Sequence, residues 1–265
     1  VPELPEVETA RAALERSALH RTIADVDDTD TWVCRPHSPG EIREAIVGRQ
    51  FSAAHRRGKS MWLSTSRDGP DLGVHLGMAG RVFVTDPDGE VVEGGDRVRG
   101  ALDGKPEWNR FTVTFESGAV LRLFDKRRLG RVRLDPDVDA LGPDAELVGL
   151  GEFREVMGRG KAPLKARLLD QSMLAGVGNL LADQTLWQAR LDPRRRVDTL
   201  DDDEVARLHR ELRKATKAAI RRGGVHTGEV IAHRGKGEHC PRCGAEMTRA
   251  TVGGRTTWWC PEEQR

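Results

Sequence analysis

Between Gln50 and Leu134 the apolar residues of this chain alternate with polar ones, whereas after Gly151 they recur at helical spacing. The chain must therefore build a β-rich half and a helical half. Residues 60–63, residues 73–76 and the triplet Phe111/Val113/Phe115 read as strands. Val7, Ala10, Leu14 and Ala18 place a helix ahead of them, over residues 3–19, and residues 41–47 read as a short second helix. The polar stretch 25–39 is expected to break the first helix, and the Gly/Asp/Pro-rich stretch 85–107 to form an excursion between strands. Further helices are expected over 152–157, 163–171, 180–189 and 201–222, the last ended by Gly223-Gly224. The weakly periodic residues 135–151 mark a linker. The expected division is 1–134, linker 135–151, 152–236, and a cysteine-bearing hairpin over 237–265.

Composition narrows the function classes. No run of 18 apolar residues exists, and Val1–Ala10 carries three acids where a secretory signal needs cations. We expect a soluble cytoplasmic monomer. Net charge is only +1, but it is unevenly spread. Residues 1–150 hold 21 Lys+Arg against 26 Asp+Glu, and residues 151–265 hold 22 against 16. Local clusters at Arg56-Arg57-Gly58-Lys59 and Lys126-Arg127-Arg128 suit either solvated surface or a nucleic-acid groove. Three of the four cysteines, Cys240, Cys243 and Cys260, crowd into the last 26 residues, while Cys34 stands alone. That spacing suits a metal site rather than a disulfide framework.

Six segments carry potential chemistry. Pro2-Glu3-Leu4-Pro5-Glu6 could simply open a helix, since proline and acids suit its first turn. The others are Arg56–Lys59; His75-Leu76-Gly77-Met78-Ala79-Gly80; Asp125-Lys126-Arg127-Arg128-Leu129-Gly130; Lys165–Gln171 running to Ala175-Gly176-Val177-Gly178-Asn179; and Cys240-Pro241-Arg242-Cys243 with Cys260 after a 16-residue gap. Taken singly, each has a bland reading as loop, cap or packing. The cysteine pattern suits zinc; a hairpin kept by Trp258 and Trp259 without metal is the alternative.

In this order the segments resemble the formamidopyrimidine-DNA glycosylase/endonuclease VIII family along essentially the whole chain. The resemblance implies an α+β multidomain fold: an N-terminal helix plus β-sandwich, then a helix–two-turn–helix domain with a C-terminal zinc-finger-type β-hairpin. It implies a bifunctional DNA glycosylase/AP lyase of base excision repair, acting on double-stranded DNA with oxidised or abasic nucleotides and associated with the bacterial nucleoid. Pro2 would be the nucleophile, with Glu3 and Lys59 as the other catalytic residues. His75 and Asn179 would hold phosphates, Met78 would enter the duplex void, Arg127 would face the orphaned base, Leu129 would contact DNA at the wedge position, and Arg255 would reach the flipped nucleotide's phosphates. Structural zinc and no organic cofactor are implied.

The chain departs from the family in three places. Glu263 stands where a fourth cysteine is usual, so that Glu263 or His239 would be the fourth zinc ligand, and Leu129 stands where an aromatic wedge is common. Only residues 225–239 precede the hairpin, where a long loop usually caps flipped 8-oxoguanine. A weaker grip on that base is expected. One hypothesis takes Val1 as a non-standard start codon, so that processing exposes Pro2. The same groove could also serve a non-catalytic damaged-DNA-binding protein, and the cysteine hairpin alone a zinc-ribbon adaptor.

Overall fold

Why the first half makes sheets is visible in its burial. Along β3 (Ser60–Thr65) and β7 (Asn109–Phe115) every second side chain is buried, so each strand covers one face of a core and leaves the other to solvent. The computed structural model describes residues 2–95 and 105–265; Val1, and the start-codon expectation attached to it, lie outside the described residues. The chain divides into two compact units: Pro2 with Glu6–Val138, and Glu3–Pro5 with Asp139–Arg265.

In the first unit two antiparallel sheets enclose one apolar cluster. The five-stranded sheet runs β1-β7-β8-β5-β6, built from β1 (Ile23–Asp27), β5 (Arg81–Thr85), β6 (Val91–Gly95), β7 and β8 (Val120–Phe124). The four-stranded sheet runs β2-β3-β4-β9, adding β2 (Phe51–Arg57), β4 (Leu72–His75) and β9 (Arg131–Leu134). Helix α1 (Leu4–Ser17) sends Val7, Ala10 and Leu14 into this core, and α2 (Glu41–Ile46) adds Ile42 and Ile46. Gly94 is a point of close approach: a Cβ there would lie 2.4 Å from the Cα of Ala10.

Two sequence expectations are corrected here. The polar stretch from residue 25 is not all loop, because Asp25, Val26 and Asp27 belong to β1 and pair with β7. Only Ile23 and Val26 of that strand are buried, and a bulge separates the pairing of Ile23 from that of Asp25, which hides the alternation. Likewise Val91–Gly95, expected within an excursion, is strand β6 paired to β5 in unbroken register. Residues 96–104 of that stretch lie outside the described residues.

The second unit is helical. Its core gathers α3 (Leu150–Met157), α4 (Leu164–Leu169), α5 (Asn179–Ala189) and α6 (Asp202–Arg222), with Leu4 buried among them. Helix α6 begins with a reciprocal capping box, in which Asp201 accepts from the Glu204 amide and Glu204 accepts from the Asp201 amide. It ends on Gly223 at φ +89. The hairpin of β10 (Thr248–Val252) and β11 (Arg255–Trp259) closes the chain. No helix among the described residues is long and apolar enough to cross a membrane.

Candidate nucleic-acid and catalytic site

Within the second unit Glu3 is deeply buried, only 2% exposed. Its two carboxylate oxygens accept three backbone amides at the start of α5: Gly178 at 3.1 Å, Leu180 at 2.8 Å and Leu181 at 3.0 Å. These are donors that a helix leaves without intrahelical partners, and the positive end of α5 complements the carboxylate's negative charge. Gly178 has ordinary extended backbone, so its need for glycine is a matter of space: a Cβ there would sit 2.2 Å from the Cδ of Glu3. The same turn holds Leu4, whose amide donates to the Gly176 carbonyl at 3.1 Å. Gln171 stiffens it further, donating to the Leu169 and Val177 carbonyls and accepting from the Gly176 amide. Asn179 opens α5, and its buried Oδ1 has no hydrogen-bond partner among the described residues.

A charge network that the sequence did not reveal lies behind this turn. Lys165 is wholly buried, with its Nζ 2.6 Å from Asp183 Oδ1 and donating to Thr257 Oγ1 at 2.8 Å. Asp183 Oδ2 accepts from Arg234 Nε at 2.8 Å. Burial pushes the Lys165 pKa down, and the Asp183 charge only partly offsets it. The network ties α4, α5, the segment before the hairpin and the hairpin itself. At the hairpin tip, a Cβ on Gly253 would meet Ala166 Cα at 2.9 Å, and Arg255 is exposed beside that turn.

In the first unit the predicted residues gather on two touching loops. Gly77 has φ +60, and a Cβ there would lie 2.4 Å from the Leu129 carbonyl carbon. This packs the loop bearing His75 and Met78 against the loop bearing Arg127 and Leu129, with Met78 and Leu129 each 38% exposed. Buried Asp125 shapes the second loop: its oxygens accept the amides of Arg127 at 3.0 Å and Gly130 at 2.6 Å. Of its three basic residues, Lys126 stacks 4.9 Å over Trp108 and Arg128 pairs with Asp30 at 2.7 Å. Arg127 is exposed and makes no ion pair among the described residues, so its charge faces solvent.

Lys59 sits in the two-residue turn between β2 and β3, where Arg57 pairs with Ser60. Its neighbour Arg56 is less available than the basic cluster suggested. Its guanidinium donates to Glu8 at 2.8 Å with 4% of the side chain exposed. Burial raises the pKa of Glu8, but Arg11 and Arg56 outweigh this and hold it below the usual range. His75, Ser60, Leu129, Arg131 and Arg133 help line a concavity of about 380 Å³. His75 is exposed and also lines this concavity. Crowding by protein atoms, then Lys59 and Arg133, depresses its pKa. The Gly77 amide donates to its Nδ1 at 3.0 Å, which assigns the proton of the neutral ring to Nε2.

The sulfurs of Cys240, Cys243 and Cys260 lie within 4.8 Å of one another, with Cys243 and Cys260 3.4 Å apart. Tetrahedral thiolates at about 2.3 Å from zinc stand roughly 3.8 Å from each other, so the triad fits that ion. Trp187 donates its indole N–H to Cys240 at 3.4 Å. Burial raises the Cys240 pKa, but this bond and the amides of Arg242 and Cys243 bring it below the ordinary thiol value, whereas burial lifts Cys260 above it. Neither expected fourth ligand joins the triad. Glu263 is turned to Arg242 and Arg190, and His239 is exposed while Cys240 is buried.

Comparison with known proteins agrees with this arrangement. Residues 1–132 match the formamidopyrimidine-DNA glycosylase N-terminal domain, and residues 140–230 match the formamidopyrimidine-DNA glycosylase H2TH domain. A formamidopyrimidine-DNA glycosylase of Nocardioides sp. is 34% identical, covering 98% of this chain and 93% of its own. One from Streptomyces avermitilis is 31% identical over 100% and 98%. The Lactococcus lactis Fpg solved with abasic-site DNA superposes with a TM-score of 0.81, at 26% identity and 99% of each chain. The same protein with a Fapy-dG DNA gives 0.81 at 26%, covering 99% and 100%. The chain belongs to the formamidopyrimidine-DNA glycosylase/endonuclease VIII family.

Proposed function

We propose that the chain is a base-excision-repair DNA glycosylase and AP lyase that acts through the ring nitrogen of Pro2. The observation carrying this reading is Glu3, the residue after Pro2, fixed by three amides at the start of α5. A side chain held this firmly is suited to a role that depends on position. The N-terminal amine titrates near 8, so a working fraction of a liberated proline is unprotonated at neutral pH. Its lone pair attacks C1′, the N-glycosidic bond breaks, and the base leaves with that electron pair and a proton. Glu3 moves protons during base loss and ring opening. The iminium then drives β- and δ-elimination, leaving a one-nucleotide gap.

The remaining residues bind. Neutral His75 offers Nε2–H, Asn179 its amide, and Lys59 and Arg255 their charges to phosphates. Met78, Arg127 and Leu129 fill the space of the extruded nucleotide. Zinc at the cysteine triad would cross-link the hairpin's ends. The division into 1–134, 152–236 and 237–265 serves these roles, with 135–151 as linker.

For lesion choice we rely on residues 225–239. The Val230 amide donates to Gln184 Oε1 at 3.1 Å, and Arg234 is bound to Asp183, so the segment is short and tied down. It supports a weak grip on 8-oxoguanine, with oxidised pyrimidines, ring-opened purines and abasic sites preferred. Matched duplexes bearing thymine glycol, formamidopyrimidine or 8-oxoguanine test this; equal or faster release of 8-oxoguanine contradicts it. For the reaction itself, an abasic duplex should be cut to a gap with phosphate on both sides. Glu3→Gln should bind a duplex carrying a damaged base and release no base from it. Binding without cleavage by the processed wild-type protein would instead mark a non-catalytic damage binder.

A further inference from the structure

We infer that the cysteine triad binds its metal through three thiolates and leaves a fourth coordination position open to an exogenous monodentate donor, such as water, imidazole or a small thiol. This rests on the reading that Cys240, Cys243 and Cys260 hold zinc. Zinc in a structural site takes four ligands, and the triad supplies three.

Neither of the two protein groups near in sequence joins the triad. Glu263 Oε2 lies 3.1 Å from Arg242 Nη1 and 3.4 Å from Arg190 Nε. Arg242 is itself fixed, since its guanidinium stacks 4.0 Å over Trp187 and donates to the Trp187 carbonyl at 3.3 Å. Drawing the Glu263 carboxylate to the metal would compete with both ion pairs, which hold its Oε2, and add a negative charge to a site that already carries three thiolates. A neutral donor avoids both costs. His239 precedes Cys240 in a bridge to Glu246, where successive side chains face opposite ways. Accordingly Cys240 is buried and His239 is exposed. Gln264 is also occupied: its Oε1 accepts from the Cys260 amide and its Nε2 donates to the Leu191 carbonyl. Cys243 is the exposed member of the triad, so the open position has a route to solvent.

Cobalt(II) loaded into the full-length protein reports on this directly. We expect one cobalt per chain, with thiolate charge-transfer bands and visible bands of a four-coordinate ion. Imidazole should shift the visible bands saturably without loss of cobalt. Glu263→Gln should leave the spectrum and the imidazole response unchanged. Glu263→Cys should add the charge-transfer intensity of a fourth thiolate and abolish the response. Bound cobalt that ignores imidazole, or a spectrum altered by Glu263→Gln, overturns the open position while leaving the metal reading intact. Failure to take up either cobalt or zinc overturns both.

Discussion

Replacing Gly178 with alanine isolates the contact on which the catalytic reading rests. Backbone strain is not the issue, because φ −116 and ψ −168 suit alanine. The new Cβ would stand 2.2 Å from Glu3 Cδ. Carbon atoms rest at about 3.5–4.0 Å, so the carboxylate or the turn must give by roughly 1.3–1.8 Å. That displacement stretches all three amide bonds to Glu3, now 2.8–3.1 Å, beyond hydrogen-bonding length. Bonds to a charged group contribute about 1.5–3 kcal/mol each, and partial relaxation will recover some. We therefore expect about 3–5 kcal/mol of lost stability in urea unfolding. A misplacement of about 1 Å also predicts roughly a 10²-fold slower base release in single-turnover assays. The Glu3→Ala background supplies the control. That background removes the three atoms nearest the new Cβ, so Gly178→Ala should then cost under about 1 kcal/mol. Wild-type stability and turnover for Gly178→Ala, or an equal cost in both backgrounds, would refute the reasoning.

Other predictions follow from the same structure. His75 has a folded pKa below its unfolded value near 6.5, so the unfolded chain binds the proton more readily. Its contribution to stability is full above pH 6.5 and declines as pH falls through that value, and His75→Ala should flatten urea-measured stability across this window. Asp183→Ala strips buried Lys165 of its counter-ion and should cost about 3–5 kcal/mol by the same assay; a loss under about 1 kcal/mol would mean that Lys165 is paired otherwise. Asp125→Ala releases the amides of Arg127 and Gly130, so duplex affinity should fall about tenfold with little change in the rate of the bound complex. A reduced rate at saturating DNA would assign the loop a different role.

How far the sequence leads depends on the range of the interactions. The long helix could be read from its stripe and its ends, because the Asp201–Glu204 box and Gly223 act over one turn. Strands β3 and β7 were legible because one face of each is buried over several residues, and β4 as a short apolar run. Strand β1 was not, since its two buried residues straddle a bulge, and β6 was masked by a surrounding stretch rich in turn residues. The glycine pattern at Gly176 and Gly178 pointed to a tight turn, but not to Glu3 as the group that fills it, 175 residues away. Lys165 opens a segment singled out for its turn, and Asp183 and Arg234 carry no local signal. Only the fold brings them together, and no local pattern records such a meeting. For Glu263 the resemblance suggested a ligand, while the arginines that hold it come from elsewhere in the chain.

The central claim is a covalent bond from the Pro2 ring nitrogen to the sugar. Processed protein incubated with an abasic duplex and borohydride, then digested and analysed by mass spectrometry, locates that bond. The account predicts that the reduced DNA remnant sits on the proline at the mature N-terminus. An adduct on a lysine instead, or normal cleavage by protein that retains a residue ahead of Pro2, would contradict it.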